Sequence, residues 1–239
     1  MKLCFIDEEE IIKNRILIPE AKRLYNLCFP DINEREEFSH ILRRVRGLKK
    51  KSDPNTILVL YILESEVIAG MVADWYRESN CIHLTYLFVH PKYRNKGIAK
   101  NLLGKVTNSI IDQIFNKYGI KILSIFLEAN NPSQTQNDSF NPDLRLKIFK
   151  KIGIRIIDIP YVQPALDRNK IRVKNLYLLT IPIFSYKEIK IDYVIEFLKS
   201  LYKSLNIKKP EDDLDYIEMI TYLHQQKDIN NFINLKQIN

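Results

Sequence analysis

The 239-residue sequence contains no apolar run approaching the ~18 residues that a membrane-spanning helix needs. Its three cysteines, Cys4, Cys28 and Cys81, are odd in number and widely separated. No pair has the spacing of zinc ligands or of a redox motif, so reduced, mostly buried thiols and no metal are expected. There is no internal repeat and no low-complexity stretch. The opening, Met1 to Glu10, carries one lysine, a short apolar patch and then an acidic run. That is too short and too acidic for a secretory signal, so the expected location is the cytoplasm.

What is present fits a packed globular chain. Hydrophobic residues make up 46% and charged residues 28%, which supplies a core and excludes wholesale disorder. The length suits one domain with an extension, or two small domains. Net charge is +8. Such an excess attracts nucleic acid or anionic lipid, and equally serves a small anionic cofactor. Its densest piece, Arg43 to Lys51, is compatible with a binding patch or with a solvated helix end.

The pattern along the chain predicts a helix from Glu20 to Cys28 behind Pro19, and a second from about Asn33 to Arg46. The period then changes. Thr56 to Leu63 and Val67 to Tyr76 read as a hairpin turning at Glu64-Ser65, and Cys81 to Val89 as a third strand. From Gly97 to about Tyr118, apolar residues recur at three and four, the signature of one long amphipathic helix. Ile120 to Glu128 reads as a buried strand, followed by a polar loop from Ala129 to Asn141. A helix from Pro142 to Ile152 stops at Gly153, and strands at Ile154 to Ile159 and Val173 to Ile181 follow. The fold class is α/β (α+β), a mostly antiparallel sheet covered by helices. Past Pro182, Tyr186 to Ile207 and Glu211 to Gln226 read as amphipathic helices able to cap a cleft, form an oligomer or engage a partner.

One stretch points to chemistry. A strand ends at Val89-His90-Pro91, a short loop follows, and a helix opens at Gly97-Ile98-Ala99. Small residues let backbone approach a ligand closely, and the unpaired N–H groups of a first helical turn favour an anion. Lys92, Arg94, Lys96 and Lys100 add positive charge around the same point. A phosphate or pyrophosphate site is therefore expected here. It is not a Walker loop, since that spacing and its Lys-Ser/Thr pair are missing.

Arg94-Asn95-Lys96-Gly97-Ile98-Ala99 resembles the R/Q-x-x-G-x-G/A signature of the GNAT superfamily of acetyl-CoA-dependent N-acetyltransferases. It has the expected strand before it and long helix after it, and a strand–helix–Gly–strand unit lies downstream. The resemblance covers roughly Thr56 to Ile181, implying a GNAT-like domain over residues 1–183 and a helical extension over 184–239. It implies a mixed sheet whose fourth and fifth strands, here Cys81 to Val89 and Ile120 to Glu128, splay apart to admit the cofactor. Backbone N–H groups of Arg94, Asn95, Lys96, Gly97, Ile98 and Ala99 would hold the pyrophosphate. The strand edge at Phe88 and Val89 would pair with the pantetheine arm, and acetyl-CoA would acetylate an amine acceptor by direct transfer.

That chemistry needs a neutral amine. Removing the proton of an amine of pKa ~10.4 at pH 7 costs ~4–5 kcal/mol, so a proton acceptor or a depressed amine pKa is required. Glu128 is the first candidate base, at a strand end among apolar neighbours; a carboxylate there facing water would have no such role. The Val89 N–H is the candidate oxyanion donor. Thr85 stands where many relatives carry a glutamate. Asp74, Glu78 and His83 are candidates to line the acceptor site, although a surface or satisfied core role suits His83 better. Phe149, four residues before Gly153, replaces the family's thiolate-protonating tyrosine. Tyr161 or Tyr86 is then the candidate acid, or the thiolate departs unassisted.

Glu128-Ala129-Asn130 and Tyr161-Val162-Gln163-Pro164 also resemble a bacterial GNAT subgroup, in which Tyr161 and Gln163 would either contact substrate or form a plain turn. Two other functions fit the pattern. One is acylation of a protein or aminoacyl-tRNA docked on the Arg43–Lys51 patch. The other is a coenzyme A-binding scaffold without catalysis, which Phe149 and Thr85 favour.

Overall fold

A computed structural model describes residues 2–13, 16–134, 140–228 and 230–238 of the chain. Strand β1 (Lys2–Ile6) and helix α1 (Glu8–Lys13) precede α2 (Leu17–Cys28) and α3 (Phe38–Val45). The strands β2 (Asn55–Leu63), β3 (Glu66–Tyr76) and β4 (Cys81–Val89) follow. Helix α4 (Ile98–Asn101) passes through a π-turn at Leu102–Val106 into α5 (Thr107–Tyr118). Then come β5 (Ser124–Asn130), α6 (Pro142–Ile152), β6 (Arg155–Ile157), β7 (Leu176–Ile181), β8 (Glu188–Lys190), α7 (Ile191–Ser204), α8 (Leu214–Lys227) and β9 (Phe232–Lys236).

Among the described residues these strands form one mixed sheet in the order β1-β2-β3-β4-β5-β7-β6-β9-β8. All neighbouring pairs are antiparallel except β4 and β5, which run parallel. Strand side chains alternate between faces. Ile82, Leu84, Ile125 and Leu127 pack under α4, α5 and α6. On the opposite face, Leu58, Leu60, Val72 and Phe88 meet α2 and α3. Beside that cluster, Cys81, Phe126 and Leu178 lie under α7 and α8.

Local signals set several elements where the sequence places them. The β2–β3 turn has both central residues, Glu64 and Ser65, at positive φ (47° and 73°), the geometry that matches hairpin twist. Gly153 sits at φ 91° and closes α6 as a left-handed C-cap, and Asn141 caps the other end by accepting from Leu144 N at 2.9 Å.

Other boundaries differ. The second helix begins at Phe38 rather than Asn33, because residues 32–37 form bends and loop. The strand expected from Ile120 begins at Ser124 and runs to Asn130, and the one expected from Val173 begins at Leu176. Val173 itself makes only an isolated bridge to Gln163. The stretch expected to be helical from Tyr186 opens instead as β8, with α7 starting at Ile191, and β9 follows α8. Of the polar loop expected at 129–141, residues 135–139 lie outside the described residues. No described helix is long and apolar enough to cross a membrane.

Candidate active site

The parallel pairing of β4 with β5 ends at Leu84 and Leu127. Beyond it β5 stays paired with β7 as far as Asn130, while Thr85–Val89 of β4 leaves β5. The cause is a β-bulge: Leu84 opposes Ala73 and Tyr86 opposes Val72, so Thr85 has no partner across the β3 ladder. A bulge bends its strand and raises local twist. The Thr85 hydroxyl is fixed by donating to Asp74 Oδ2 at 3.1 Å. His90 N–H donates to Ile68 O on β3 at 2.9 Å. Strand alternation then turns the Val89 N–H the other way, into the gap.

At the end of β4, Pro91–Tyr93 makes a 3-10 turn capped by His90, whose Nδ1 accepts from Lys92 N at 3.2 Å. Asn95 (φ 62°) and Gly97 (φ 75°) are both left-handed. Asparagine tolerates that conformation and glycine adopts it freely. Two such residues bracketing Lys96 turn successive N–H groups inward, a concave arrangement suited to an anion. No side chain caps α4 at Gly97, and its first internal bond is Asn101 N to Gly97 O at 3.0 Å. Arg94 reaches back so that Nε donates to Val89 O at 3.3 Å, with its guanidinium 5.0 Å from the Phe140 ring centre. Lys96 lies over the Tyr93 ring.

The gap and this turn open into one cleft of about 320 Å³. Phe88, Val89, Arg94, Asn95, Gly97, Ile98 and Ala99 line it, as do Thr85, Glu128 and Phe149. Lys96 points elsewhere. Cys28, Phe29 and Glu34, from the end of α2 and the loop after it, also line the cleft. Phe140 and Arg145 border the turn. These five carry no signal in the sequence, since only the folding of α2 and α6 over opposite faces of the sheet brings them here.

Glu128 is tied at both oxygens. Oε1 accepts the Tyr161 hydroxyl and Oε2 accepts Gln163 Nε2 at 2.9 Å. Its side chain is 9% exposed. Burial, then the adjacent Glu128 carboxylate, pushes the Tyr161 phenol well above its ordinary value. Tyr161 therefore stays protonated and serves as a donor to Glu128. The Tyr86 hydroxyl, pushed up chiefly by burial, accepts from Glu36 N at 2.9 Å.

His83 is in the core with Nε2 3.3 Å from Glu128 Oε2, off the line of a good hydrogen bond. Neither ring nitrogen has a hydrogen-bond partner among the described residues, so this is a core histidine that the core does not satisfy. Asp74 is buried beside it, whereas Glu78 lies exposed in the β3–β4 turn and faces no cleft.

The Arg43–Lys51 run is not a uniform surface patch. Arg44 turns inward, forking onto Glu36 at 2.6 and 2.7 Å, with Nε donating to Thr56 at 2.7 Å. It also lies 3.6 Å from Asp74. Lys49 and Lys50 are engaged by Asn55 and Asn206. No group of three described His, Cys, Asp or Glu residues is placed to hold a metal.

Comparison with known proteins decides the family. Residues 18–135 match the acetyltransferase (GNAT) family. The chain therefore contains a GNAT-family acetyltransferase domain. A GNAT-family acetyltransferase structure from Bacteroides thetaiotaomicron superposes with a TM-score of 0.55 at 15% identity, covering 77% of this chain and 89% of that one. An aminoglycoside 6'-N-acetyltransferase solved with coenzyme A gives 0.48 at 16%, covering 77% and 100%. No curated protein matches the sequence. The GNAT match starts in α2, upstream of Thr56, and stops before α6, so Phe149, Tyr161 and Gln163 all lie beyond it.

Proposed function

We infer that this GNAT protein transfers the acetyl group of acetyl-CoA directly to an amine acceptor. The observation that carries this is the opening of β4 away from β5 beside the left-handed pair Asn95 and Gly97. Together they offer an anion cradle continuous with a strand edge, in one cleft. The backbone N–H groups from Arg94 to Ala99 are proposed to hold the pyrophosphate, and the edge at Phe88 and Val89 the pantetheine arm. Bound acetyl-CoA would supply an activated thioester.

The remaining work falls to the chain's own groups. The Val89 N–H, turned away from β3 into the gap, is the proposed donor to the oxyanion. Glu128, held by Tyr161 and Gln163, is the proposed acceptor of the amine's proton, directly or through water. With acetyl-CoA bound, the neutral amine would attack the thioester carbonyl and give up its proton towards Glu128, and coenzyme A would leave as the thiolate. Phe149 cannot protonate that sulfur, so the thiolate departs without help from this position. The transferase domain is proposed to span residues 1–183, with 184–239 as an extension.

The same residue motivates a second reading, a GNAT-shaped protein that binds coenzyme A without turnover. Incubation with acetyl-CoA and a panel of primary amines, read by mass spectrometry of products, tests both. Acetylated amine supports transfer. Cofactor binding with no product from any amine supports the second reading.

A further inference from the structure

We propose that the C-terminal helices α7 and α8 are a positioning device for the transfer site, gripping the loop between β6 and β7 that presents Tyr161 and Gln163 to Glu128. The inference rests on the transfer function proposed above. Tyr161 and Gln163 flank Val162, and both backbone groups of Val162 are taken by the C-terminal pair. Val162 N donates to Met219 Sδ of α8 at 3.4 Å, and Val162 O accepts from Tyr202 Oη of α7 at 3.0 Å. Met219 and Tyr202 are fully buried, so this grip lies inside the packed interface.

The returning arm of the loop is held as well. Gln163 and Val173 exchange backbone bonds of 2.9 and 3.1 Å. Arg172 forks onto Asp213, the N-cap of α8, and reaches Asp215 at 2.6 Å. Lys174 adds a second contact to Asp215 at 2.9 Å. At its tip, Ile171 N donates to Asn33 Oδ1 at 3.3 Å and Lys170 Nζ to Arg35 O, beside the α2 end that lines the cleft. The loop is thus strung between the extension and the cleft wall formed after α2.

This arrangement has a chemical consequence. A proton acceptor works only if its oxygen is held in line with the amine, and a displacement of about 1 Å can cost ~100-fold. Glu128 stays paired with β7 where β4 departs, so its side chain is oriented by the two donors from the loop, with the His83 ring 3.3 Å from Oε2 on its other side. Partners that orient a reacting group act through it and not on the substrate.

The test compares Arg172→Ala, Arg172→Lys and Tyr202→Phe with the wild-type chain. Tyr202→Phe removes one buried hydroxyl and serves if Arg172→Ala folds poorly. Three measurements are made: the affinity for acetyl-CoA, the 13C chemical shift of the Glu128 carboxylate at a single neutral pH, and kcat with any amine that is acetylated. The expected result is acetyl-CoA affinity within twofold of wild type, a displaced Glu128 carboxylate resonance, and kcat reduced about tenfold, with Arg172→Lys partly restoring both. A helix pair that only stabilises the fold would leave the Glu128 resonance unmoved in every variant, and that result overturns the proposal. So does a moved resonance with unchanged kcat. If the wild type binds acetyl-CoA yet acetylates no amine, the transfer reading falls. The Glu128 resonance then decides by itself whether the helices position the carboxylate.

Discussion

Gln163 donates its side-chain amide to Glu128 Oε2 at 2.9 Å, joining the strand beside the splay to a loop 35 residues further on. With Tyr161 on the other oxygen, the carboxylate is held by two neutral donors. Replacement of Glu128 by glutamine removes the proton acceptor and sets an amide NH2 against one of those donors. Transfer is expected to fall by ~10²–10⁴-fold, with acetyl-CoA affinity nearly unchanged. Steady-state kinetics and a binding titration check this together.

Gly70 is a packing glycine. A Cβ there would lie 2.3 Å from Phe88 Cζ and 2.9 Å from Leu60 Cδ2. Phe88 is fully buried and cannot swing aside without disturbing β4 at the splay. Gly70→Ala is expected to destabilise the chain by about 1–3 kcal/mol and to lower Tm accordingly, as thermal denaturation would show.

Phe149 lines the cleft on α6, four residues before Gly153. A thiol of pKa near ~8.5 is a tolerable leaving group without an acid. Phe149→Tyr is therefore expected to change kcat by no more than about threefold, well under the ~10²-fold that a working general acid contributes. A large rise in kcat would mean that thiolate departure limits the rate.

The loop clamp has a pH signature. A hydrogen bond from Arg172 holds the Asp213 carboxyl below the usual carboxylate range, and Lys174 with Arg172 does the same for Asp215. A depressed folded pKa stabilises the native state fully above the unfolded value of ~3.9 and is lost as pH falls through the folded value. The stability difference between wild type and Arg172→Ala is thus expected to hold constant above about pH 5 and to shrink on acidification below ~4. Urea midpoints at several pH values measure it.

Much of the central fold is legible in sequence because its signals are local. Cys81–Val89 and Pro142–Ile152 fall where alternation, a proline at the helix start and Gly153 place them. The strands β1, β8 and β9 are not legible, being only three to five residues long and paired with distant partners, as Lys2 with Ile62 and Ile157 with Leu235. Period-two alternation carries little weight over so short a span.

The site divides in the same way. The turn at Arg94–Ala99 announces itself through glycine, small residues and charge in sequence order. Arg44 does not: within a basic run it reads as part of a binding patch or of a solvated helix end, and only the fold brings Glu36, Thr56 and Asp74 around it. Cys28 and Glu34 join the cleft for the same long-range reason.

The cradle at Gly97 is the central claim. Gly97 has φ 75°, and among the described residues a Cβ there would meet nothing within 4 Å beyond its own chain neighbours and helix backbone. A bulky side chain therefore acts through backbone strain and through the space reserved for the ligand, and not through core packing. Calorimetric titration of acetyl-CoA into the wild-type chain and into Gly97→Val is the most direct measurement. Clear binding by the wild type and a loss of at least tenfold in the folded variant is the expected result. Equal affinity in the two, or no heat of binding in the wild type, would contradict a pyrophosphate held by this turn.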